Sequence, residues 1–205
     1  MSDKKRQQPK IVAHRGYSAK HPENTMQAFR AAVAAGIKCI ELDVHLSADG
    51  VPVVVHNHLL PDGTPVTEAH VLPASIPHLV DVAKWAGENH VRLFVEIKRE
   101  SVSVHGPAAA ARAVVHAMRW APGWVCLSFD RSVLSHIPAS VPTGFIGTAE
   151  LDYAVYSIAQ FRTAEPTGKP VIVYTAKSWR DVLRLGREGA SFVMVDDCRM
   201  GPGAC

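Results

Sequence analysis

The sequence predicts an α/β fold of one domain, with a (β/α) barrel as the candidate architecture. The chain has 205 residues, of which 47% are hydrophobic, and this is enough to bury one sizeable core. Short apolar runs alternate with helical segments, a pattern typical of parallel strands joined by helical crossovers. Because no internal repeat or linker interrupts this pattern, we assign residues 11–205 to one barrel domain that follows a polar, disordered leader, residues 1–10.

The candidate strands are short and apolar. They lie at residues 11–13, 39–44, 53–55, 93–97, 125–129, 144–147, 171–174 and 192–195. The clearest helix covers residues 25–35, which place apolar side chains on one face and are followed by Gly36. Pro77 and Pro107 are expected to open two further helices.

Composition argues against several classes of function. The formal net charge of +3 and the pI of about 8.7 come from scattered cations, a balance too mild to indicate nucleic-acid or membrane binding. No window approaches the roughly 18 consecutive apolar residues of a membrane span. The four cysteines form no zinc or disulfide pattern, so we expect a reducing, cytoplasmic setting. The oligomeric state stays open.

One connection between candidate strands is too short for a helix, and it contains Asp49-Gly50, a strong hairpin signal. We therefore expect these two strands to be antiparallel neighbours. A turn centred between Asp49 and Gly50 would set His56 opposite Asp43. Because side chains alternate along a strand, Glu41 and Asp43 share a face that His56 can join.

Three carboxylates converge at the ends of the predicted strands, namely Glu41, Asp43 and Glu96. Buried charges are costly unless they are paired or bound to metal, so this trio indicates a hard divalent cation such as Mg²⁺ or Ca²⁺. The alternative is that the carboxylates are exposed edge-strand charges or form ion pairs with Lys98 and Arg15.

Two histidines and two cations complete the candidate site. His14 and Arg15 follow the first apolar run, and Gly16 gives the backbone room to turn. With an unperturbed pKa of about 6.5, His14 and His56 can divide general-base and general-acid roles. Arg15 and Lys98 can hold phosphate oxygens. Together with a metal, these groups supply what the cleavage of a phosphodiester requires.

The other histidines are expected to be structural or solvated. His45 is the exception, because it follows Asp43 by two positions on the same face and could touch substrate. Methionine and aromatic residues are interpreted as packing, and none suggests a cofactor site.

An ordered set of short motifs covers about the first two thirds of the chain. They are His14-Arg15-Gly16, Pro22-Glu23-Asn24-Thr25, Glu41-Leu42-Asp43-Val44, Asp49-Gly50, Val53 to His56, Glu96-Ile97-Lys98 and Ser128-Phe129. Each fragment is weak alone, but the ordered set resembles the glycerophosphodiester phosphodiesterase family.

This resemblance implies a TIM-barrel phosphodiesterase related to bacterial phosphoinositide phospholipases. Its substrate would be a small glycerophosphodiester, and its products glycerol 3-phosphate and an alcohol. The implied route uses a glycerol hydroxyl of the substrate as first nucleophile and passes through a cyclic phosphate. The implied site consists of metal ligands Glu41, Asp43 and Glu96, acid–base histidines His14 and His56, and phosphate contacts Arg15 and Lys98.

The chain departs from the family pattern in three places. They are Asn57 in place of Asp, Tyr174-Thr175-Ala176-Lys177 in place of Trp-Thr-Val-Asn, and Cys198 in place of a proline after Val195-Asp196. The proposed metal ligands, histidines and phosphate contacts lie outside these departures, but the contacts to substrate at the rim are affected.

The length also differs from that of a complete barrel. Apart from the hairpin arm only seven barrel strands can be counted, and residues 151–170 are too few for a further helix, strand and helix. We therefore predict a TIM-type (β/α) barrel that is shortened in its C-terminal half and carries a β-hairpin at its catalytic face. Residues 155–161 would stand in for the eighth strand as an irregular strand.

Two alternatives to an active glycerophosphodiesterase stay open. One is a catalytically weak barrel relative that binds phosphorylated ligands or a partner, motivated by the shortened half and the altered rim. The other is a phosphodiesterase directed at lysophospholipids or sphingolipids, which would need an apolar groove. The retention of every proposed acid, base and metal ligand favours an active glycerophosphodiesterase.

Overall fold

The structure is a computed structural model that describes residues 8–200. Its strands are β1 (Lys10–His14), β2 (Cys39–Leu46), β3 (Pro52–Val54), β4 (Arg92–Ile97), β5 (Val125–Ser128), β6 (Thr143–Ile146), β7 (Tyr153–Ser157), β8 (Val171–Ala176) and β9 (Phe192–Val195). Its helices are α1 (Met26–Ala34), α2 (Leu79–Glu88), α3 (Arg99–His105), α4 (Pro107–Ala117), α5 (Arg131–Leu134), α6 (Ile158–Phe161) and α7 (Trp179–Arg187). Most of the expected leader, residues 1–7, lies outside the described residues, and its last residue, Lys10, begins β1.

Eight parallel strands close into a barrel. Their order around the ring is β1, β2, β4, β5, β6, β7, β8 and β9, and the ring closes because β1 pairs with both β2 and β9. The remaining strand, β3, lies outside the ring and is antiparallel to β2. The predicted barrel is thus confirmed. In such a ring the carboxyl ends of all the parallel strands meet at one face.

The expectation that a regular eighth strand is missing was wrong, because β7 occupies that position. It covers Tyr153–Ser157 and pairs in parallel with β6 and β8, whereas the expected irregular strand was residues 155–161. The second part of that range is helical because Ser157 and Gln160 form a capping box that begins α6.

The shortening of the C-terminal half lies in its connections. β6 and β7 are parallel neighbours, yet residues 147–152 between them contain no helix. The Gly147 N–H donates to the Val155 carbonyl at 2.7 Å, and the Asp152 carboxylate accepts the Thr143 N–H at 2.8 Å. These hydrogen bonds hold residues 147–152 against β6 and β7, so the two strands pair without a helical crossover between them.

Two apolar layers hold the strands in place. The interior of the ring is filled by Val12, Phe94, Leu127, Val155, Ile172, Phe192 and Met194. Between the strands and the outer helices lies a second, larger layer that includes Phe29 and Leu79, both fully buried. Full burial of an apolar side chain of this size contributes about 1.5–3 kcal/mol. The strands therefore offer a rigid frame to the polar side chains at their ends.

The β2–β3 hairpin confirms that Asp49-Gly50 marks a turn, but the predicted register was wrong by one residue. The Val55 N–H donates to the Asp43 carbonyl at 3.1 Å, so Asp43 lies opposite Val55 and not opposite His56. His56 instead follows the end of β3 by two residues.

The reason for the different register is a turn that is longer than two residues. The Ser47 N–H donates to the Val51 carbonyl at 3.0 Å, and Gly50 adopts a φ of 73°. A glycine with positive φ at this point is typical of a hairpin loop with an extra residue, which shifts every pair by one position.

The helix starts agree with the local signals. Thr25 precedes α1 and its hydroxyl accepts the Ala28 N–H at 3.2 Å, and Pro107 is the first residue of α4. α2 begins at Leu79, two residues after Pro77. None of the helices within residues 8–200 is both long enough and apolar enough to cross a membrane.

Candidate active site

The predicted site residues meet at the carboxyl face of the barrel. A cleft of about 330 Å³ is lined there by His14, Arg15, Glu41, His56, Glu96 and Lys98, together with apolar residues of the second half of the chain. Asp43 is buried behind this lining and contacts Lys98 and Arg15. A larger cavity, of about 550 Å³, lies beside α6 and contains none of these residues.

The three carboxylates form one cluster. Each of Glu41, Asp43 and Glu96 offers an oxygen that lies within 4.8 Å of the oxygens of the other two. Glu41 and Asp43 are only 3% and 1% exposed, so they are not edge-strand charges in solvent. Hard oxygen donors brought this close are the kind of ligand set that Mg²⁺ and Ca²⁺ prefer, and the cluster could hold a metal ion.

The carboxylates of the cluster repel one another, and this favours the binding of a cation. Burial and the neighbouring carboxylates of Asp43 and Glu96 raise the pKa of Glu41 well above its usual value. Burial and the charge of Asp43 likewise raise the pKa of Glu96. Three carboxylates face the two cations Lys98 and Arg15, and Arg15 also binds Glu23, so the negative charges outnumber the positive ones. A bound cation would remove this repulsion.

Asp43 is the carboxylate that the protein itself neutralises. The Lys98 Nζ lies 3.2 Å from Asp43 Oδ1, and the Arg15 Nε lies 3.0 Å from Oδ2. Asn24 donates to Oδ2 at 2.9 Å and accepts the Asp43 N–H at 3.2 Å. Burial acts to raise the pKa of Asp43, but these neighbours together lower it below the usual value. The ion pairs with Lys98 and Arg15, which were the alternative to a metal site, are thus present for Asp43 alongside the carboxylate cluster.

His14 is held by a residue from the other end of the chain. Its Nδ1 lies 2.7 Å from Asp196 Oδ1, and its Nε2 lies 3.9 Å from Glu41 Oε2. The second Asp196 oxygen accepts a hydrogen bond from Lys177 at 2.6 Å. The bonds from His14 and Lys177 lower the pKa of Asp196, so it is ionised and fixes the imidazole. Asp196 was not predicted as a site residue, although its position directly after β9, beside β1, was a usable signal.

Arg15 and Gly16 form the turn that follows β1. Arg15 has a φ of 57° and Gly16 a φ of 81°. The Arg15 N–H donates to Glu41 at 3.1 Å, and its guanidinium donates to both oxygens of Glu23, at 3.0 and 3.1 Å. This turn aims the arginine into the cleft, and α1 crosses directly behind Gly16.

Replacing Gly16 with alanine is expected to lower the free energy of unfolding by about 2–4 kcal/mol. A Cβ there would lie 2.8 Å from the backbone carbon of Ala28, and the backbone has positive φ. Gly63 has a similar φ of 87° with nothing within 4 Å of a Cβ, so Gly63→Ala should cost only about 1–2 kcal/mol. Urea unfolding measures both, and equal losses would contradict the close approach of α1.

His56 reaches the same cleft from the segment after β3. Its Nδ1 lies 3.1 Å from the side-chain oxygen of Asn57, the residue that departs from the family pattern. His45, which the sequence left as a residue that could touch substrate, is fully buried and does not line the cleft. Burial lowers the pKa of His45, so its ring is neutral. Its ring shares the face of Glu41 and Asp43 but is covered by α3, where its Nδ1 lies 3.2 Å from Ser101 Oγ.

The far side of the cleft is apolar. It is formed by Leu127, Phe129, Ile146, Val155, Tyr174, Thr175 and Met194. Phe129 is 41% exposed at the rim. The altered motif at 174–177 therefore still contributes to the lining, and a bound molecule would meet charged groups on one side and hydrocarbon on the other.

Comparison with known sequences identifies a matching family. The model of the glycerophosphoryl diester phosphodiesterase family matches residues 14–120, slightly more than half of the chain. An uncharacterized Bacillus subtilis protein, YqiK, is 34% identical over 117 residues, which cover 47% of this chain and 48% of the relative. A Bacillus altitudinis glycerophosphodiester phosphodiesterase is 51% identical over 51 residues, 25% of this chain and 21% of the relative. The matched part spans less than half the length of each of these relatives.

Solved structures share the barrel at lower identity. The structure of an Oleispira antarctica phosphodiesterase in complex with the product sn-glycerol-3-phosphate has a TM-score of 0.79 and 23% identity, over 94% of this chain and 95% of that one. A Thermotoga maritima glycerophosphodiester phosphodiesterase has a TM-score of 0.74 and 23% identity, over 95% and 97% of the two chains. At this identity the similarity establishes the fold.

Proposed function

Because this chain belongs to the glycerophosphoryl diester phosphodiesterase family, we propose that it hydrolyses glycerophosphodiesters to glycerol 3-phosphate and an alcohol. The proposal includes one divalent cation, Mg²⁺ or Ca²⁺, and acid–base catalysis by His14 and His56. The observation that carries it is a cluster of three carboxylates in one cleft with two histidines and two cations. The Oleispira antarctica protein, which has the same fold, binds glycerol 3-phosphate.

The cation would be held by Glu41, Asp43 and Glu96, whose donor atoms are hard oxygens and whose charges exceed those of the neighbouring cations. When bound, it supplies positive charge that stabilises the phosphorane-like transition state.

Phosphate binding is assigned to Arg15 and Lys98. Both side chains line the cleft, and both are partly buried, with exposures of 18% and 14%. The Arg15 Nε lies 3.0 Å from Asp43 Oδ2, and this ion pair holds the guanidinium at the cleft. Burial acts to lower the pKa of Lys98, but Asp43 and Glu96 raise it overall, so the ammonium stays charged in the cleft.

Proton transfer is assigned to the two histidines. With Nδ1 bonded to Asp196, His14 directs Nε2 toward the cleft. In the first step, one histidine takes the proton of the glycerol hydroxyl that attacks phosphorus, while the other gives a proton to the alkoxide of the leaving alcohol as its P–O bond breaks. In the second step, water attacks the resulting cyclic phosphate with the two proton-transfer roles exchanged, and the ring P–O bond breaks to give glycerol 3-phosphate. Asp196 is a positioning residue in this scheme, because it fixes the tautomer of His14.

Release of glycerol 3-phosphate from glycerophosphocholine tests the proposal. We expect turnover with added Mg²⁺ or Ca²⁺, near-complete loss with a chelator, and recovery when the metal is restored, because the carboxylates repel one another without it. A coupled glycerol-3-phosphate dehydrogenase assay measures the product.

Different outcomes separate the alternatives. Saturable binding of glycerol 3-phosphate without metal-dependent turnover of any glycerophosphodiester would replace the hydrolase with a binder of phosphorylated ligands. Turnover of lysophospholipids with no turnover of glycerophosphocholine would change the substrate class instead. The acyl chain of the lipid would then lie along the apolar side of the cleft.

A further inference from the structure

We propose that the buried residues His45 and Ser101 are positioning residues for His56. This inference rests on the proposed function, because it assumes that His56 transfers a proton. Neither residue touches the cleft, and both have no exposed surface. Their role would be to hold the segment that carries His56 at a fixed distance from the carboxylate cluster.

His56 lies at a point where regular strand pairing has ended. The last ladder bond of the hairpin joins the Val55 N–H to the Asp43 carbonyl at 3.1 Å. Beyond it, the main chain of His56 is held by a side chain, since its carbonyl accepts from His45 Nε2 at 3.3 Å. The imidazole of His56 bonds to exposed Asn57, its neighbour in the same segment, and this gives no attachment to the barrel. The His45 bond therefore anchors the segment to β2.

The hydrogen bonds around His45 assign its tautomer. Ser101 Oγ accepts the Leu46 N–H at 2.8 Å, so its own hydrogen is free to be donated to His45 Nδ1, 3.2 Å away. Nδ1 is then an acceptor, and the ring hydrogen sits on Nε2, where it is donated to the His56 carbonyl. Each of these buried polar groups has a partner in this arrangement, which is the condition for a rigid network.

The network also joins the two sides of the site. Ser101 belongs to α3, which begins directly after Lys98, and His45 is on β2 two residues after Asp43. A shift of either element would move the His56 carbonyl with it. Misplacement of a catalytic group by about 1 Å can cost about 10²-fold in rate.

The test compares two amides at position 45 and combines one of them with loss of His56. The side-chain nitrogen of glutamine can take the place of Nε2, whereas that of asparagine reaches only as far as Nδ1. We expect His45→Asn to lower kcat by about 10- to 100-fold with little change in KM, and His45→Gln to retain most of kcat. In a His56→Ala background, His45→Asn should have no further effect on kcat, because the residue that it positions is gone.

Two controls separate positioning from stability. Val82→Ala removes buried carbon atoms from α2, away from the cleft, and shows whether a loss of stability alone lowers kcat. Thermal unfolding of every variant is measured alongside the kinetics. Equal losses of kcat in His45→Asn and His45→Gln, or the same loss in the presence and absence of His56, would overturn the positioning role.

The outcome of His56→Ala alone distinguishes this inference from the proposed function. If that variant keeps full kcat, the acid–base role of His56 fails and the positioning role falls with it. If His56→Ala is strongly impaired while His45→Asn is not, only the positioning role fails.

Discussion

Replacing His14 with alanine is expected to lower kcat for glycerophosphocholine hydrolysis by about 10²- to 10⁴-fold, the usual contribution of a general acid or base. The His14 side chain is 20% exposed and lies at the end of β1, so its loss removes little core packing. Its ring is fixed by Asp196 at 2.7 Å and directs the other nitrogen to the carboxylate cluster. The loss should therefore be in kcat, with KM changed far less because Arg15 and Lys98 remain.

The matched control for this variant is His70→Ala. His70 is another histidine that contacts a carboxylate, Asp49 at 2.9 Å, but its side chain is 73% exposed and lies outside the cleft. We expect its kcat to equal that of the unmodified protein. Steady-state assays at saturating metal measure both variants, and a His14→Ala protein that keeps more than about a tenth of kcat would remove His14 from the chemistry.

Replacing Glu41 with glutamine is expected to abolish metal-dependent turnover and to stabilise the metal-free protein. Glu41 is 3% exposed, and its charge is opposed by those of Asp43 and Glu96. A neutral amide of the same shape relieves that repulsion but is a poorer ligand. Since about 1 kcal/mol moves Tm by about 2–4 °C in a chain of this size, the metal-free Tm should rise by several degrees.

The pH dependence of stability follows from the sign of the Glu41 shift. Its pKa in the folded protein is raised above the unfolded value of about 4.3, so folding favours the protonated form. The metal-free protein should therefore gain stability, relative to Glu41→Gln, as the pH falls through the raised pKa, and lose it as the pH rises again. Thermal scans between neutral and mildly acidic pH in the presence of chelator measure the difference between the two proteins.

The Tm values of the unmodified protein and of Glu41→Gln are also compared after Mg²⁺ or Ca²⁺ is added. Binding to the folded state should raise the Tm of the unmodified protein and leave that of Glu41→Gln nearly unchanged. Glu88→Gln, at the exposed end of α2, is the control for removing a glutamate charge elsewhere. A Glu41→Gln protein that is less stable than the parent without metal would show that the carboxylate is structural.

The barrel and most of the candidate site could be predicted because they depend on local signals. Glu41 and Asp43 are charged residues within an otherwise apolar run, and strand alternation is enough to put them on one face. His14 follows another such run, and in parallel strands the carboxyl ends meet at one face of the sheet. Each inference needed only a few neighbouring residues.

What could not be predicted depends on turn geometry or on distant contacts. The register at His56 follows from the length of the Ser47–Val51 turn, and the Asp49-Gly50 signal does not specify that length. The expected absence of an eighth strand followed from the rule that parallel strands need a helical crossover, and the segment 147–152 does not obey that rule. His45 shares the alternation of Glu41 but is covered by α3, a tertiary contact that periodicity does not report.

The bond between His14 and Asp196 joins positions that are 182 residues apart in the sequence. Loop-closure entropy must be overcome before such a pair can meet, so this bond forms only when the first and last strands of the ring come together. A partly folded chain in which β1 and β9 are apart therefore lacks the orientation that Asp196 gives to the His14 ring. Pairing of β1 with β9 thus couples the orientation of the His14 ring to closure of the barrel.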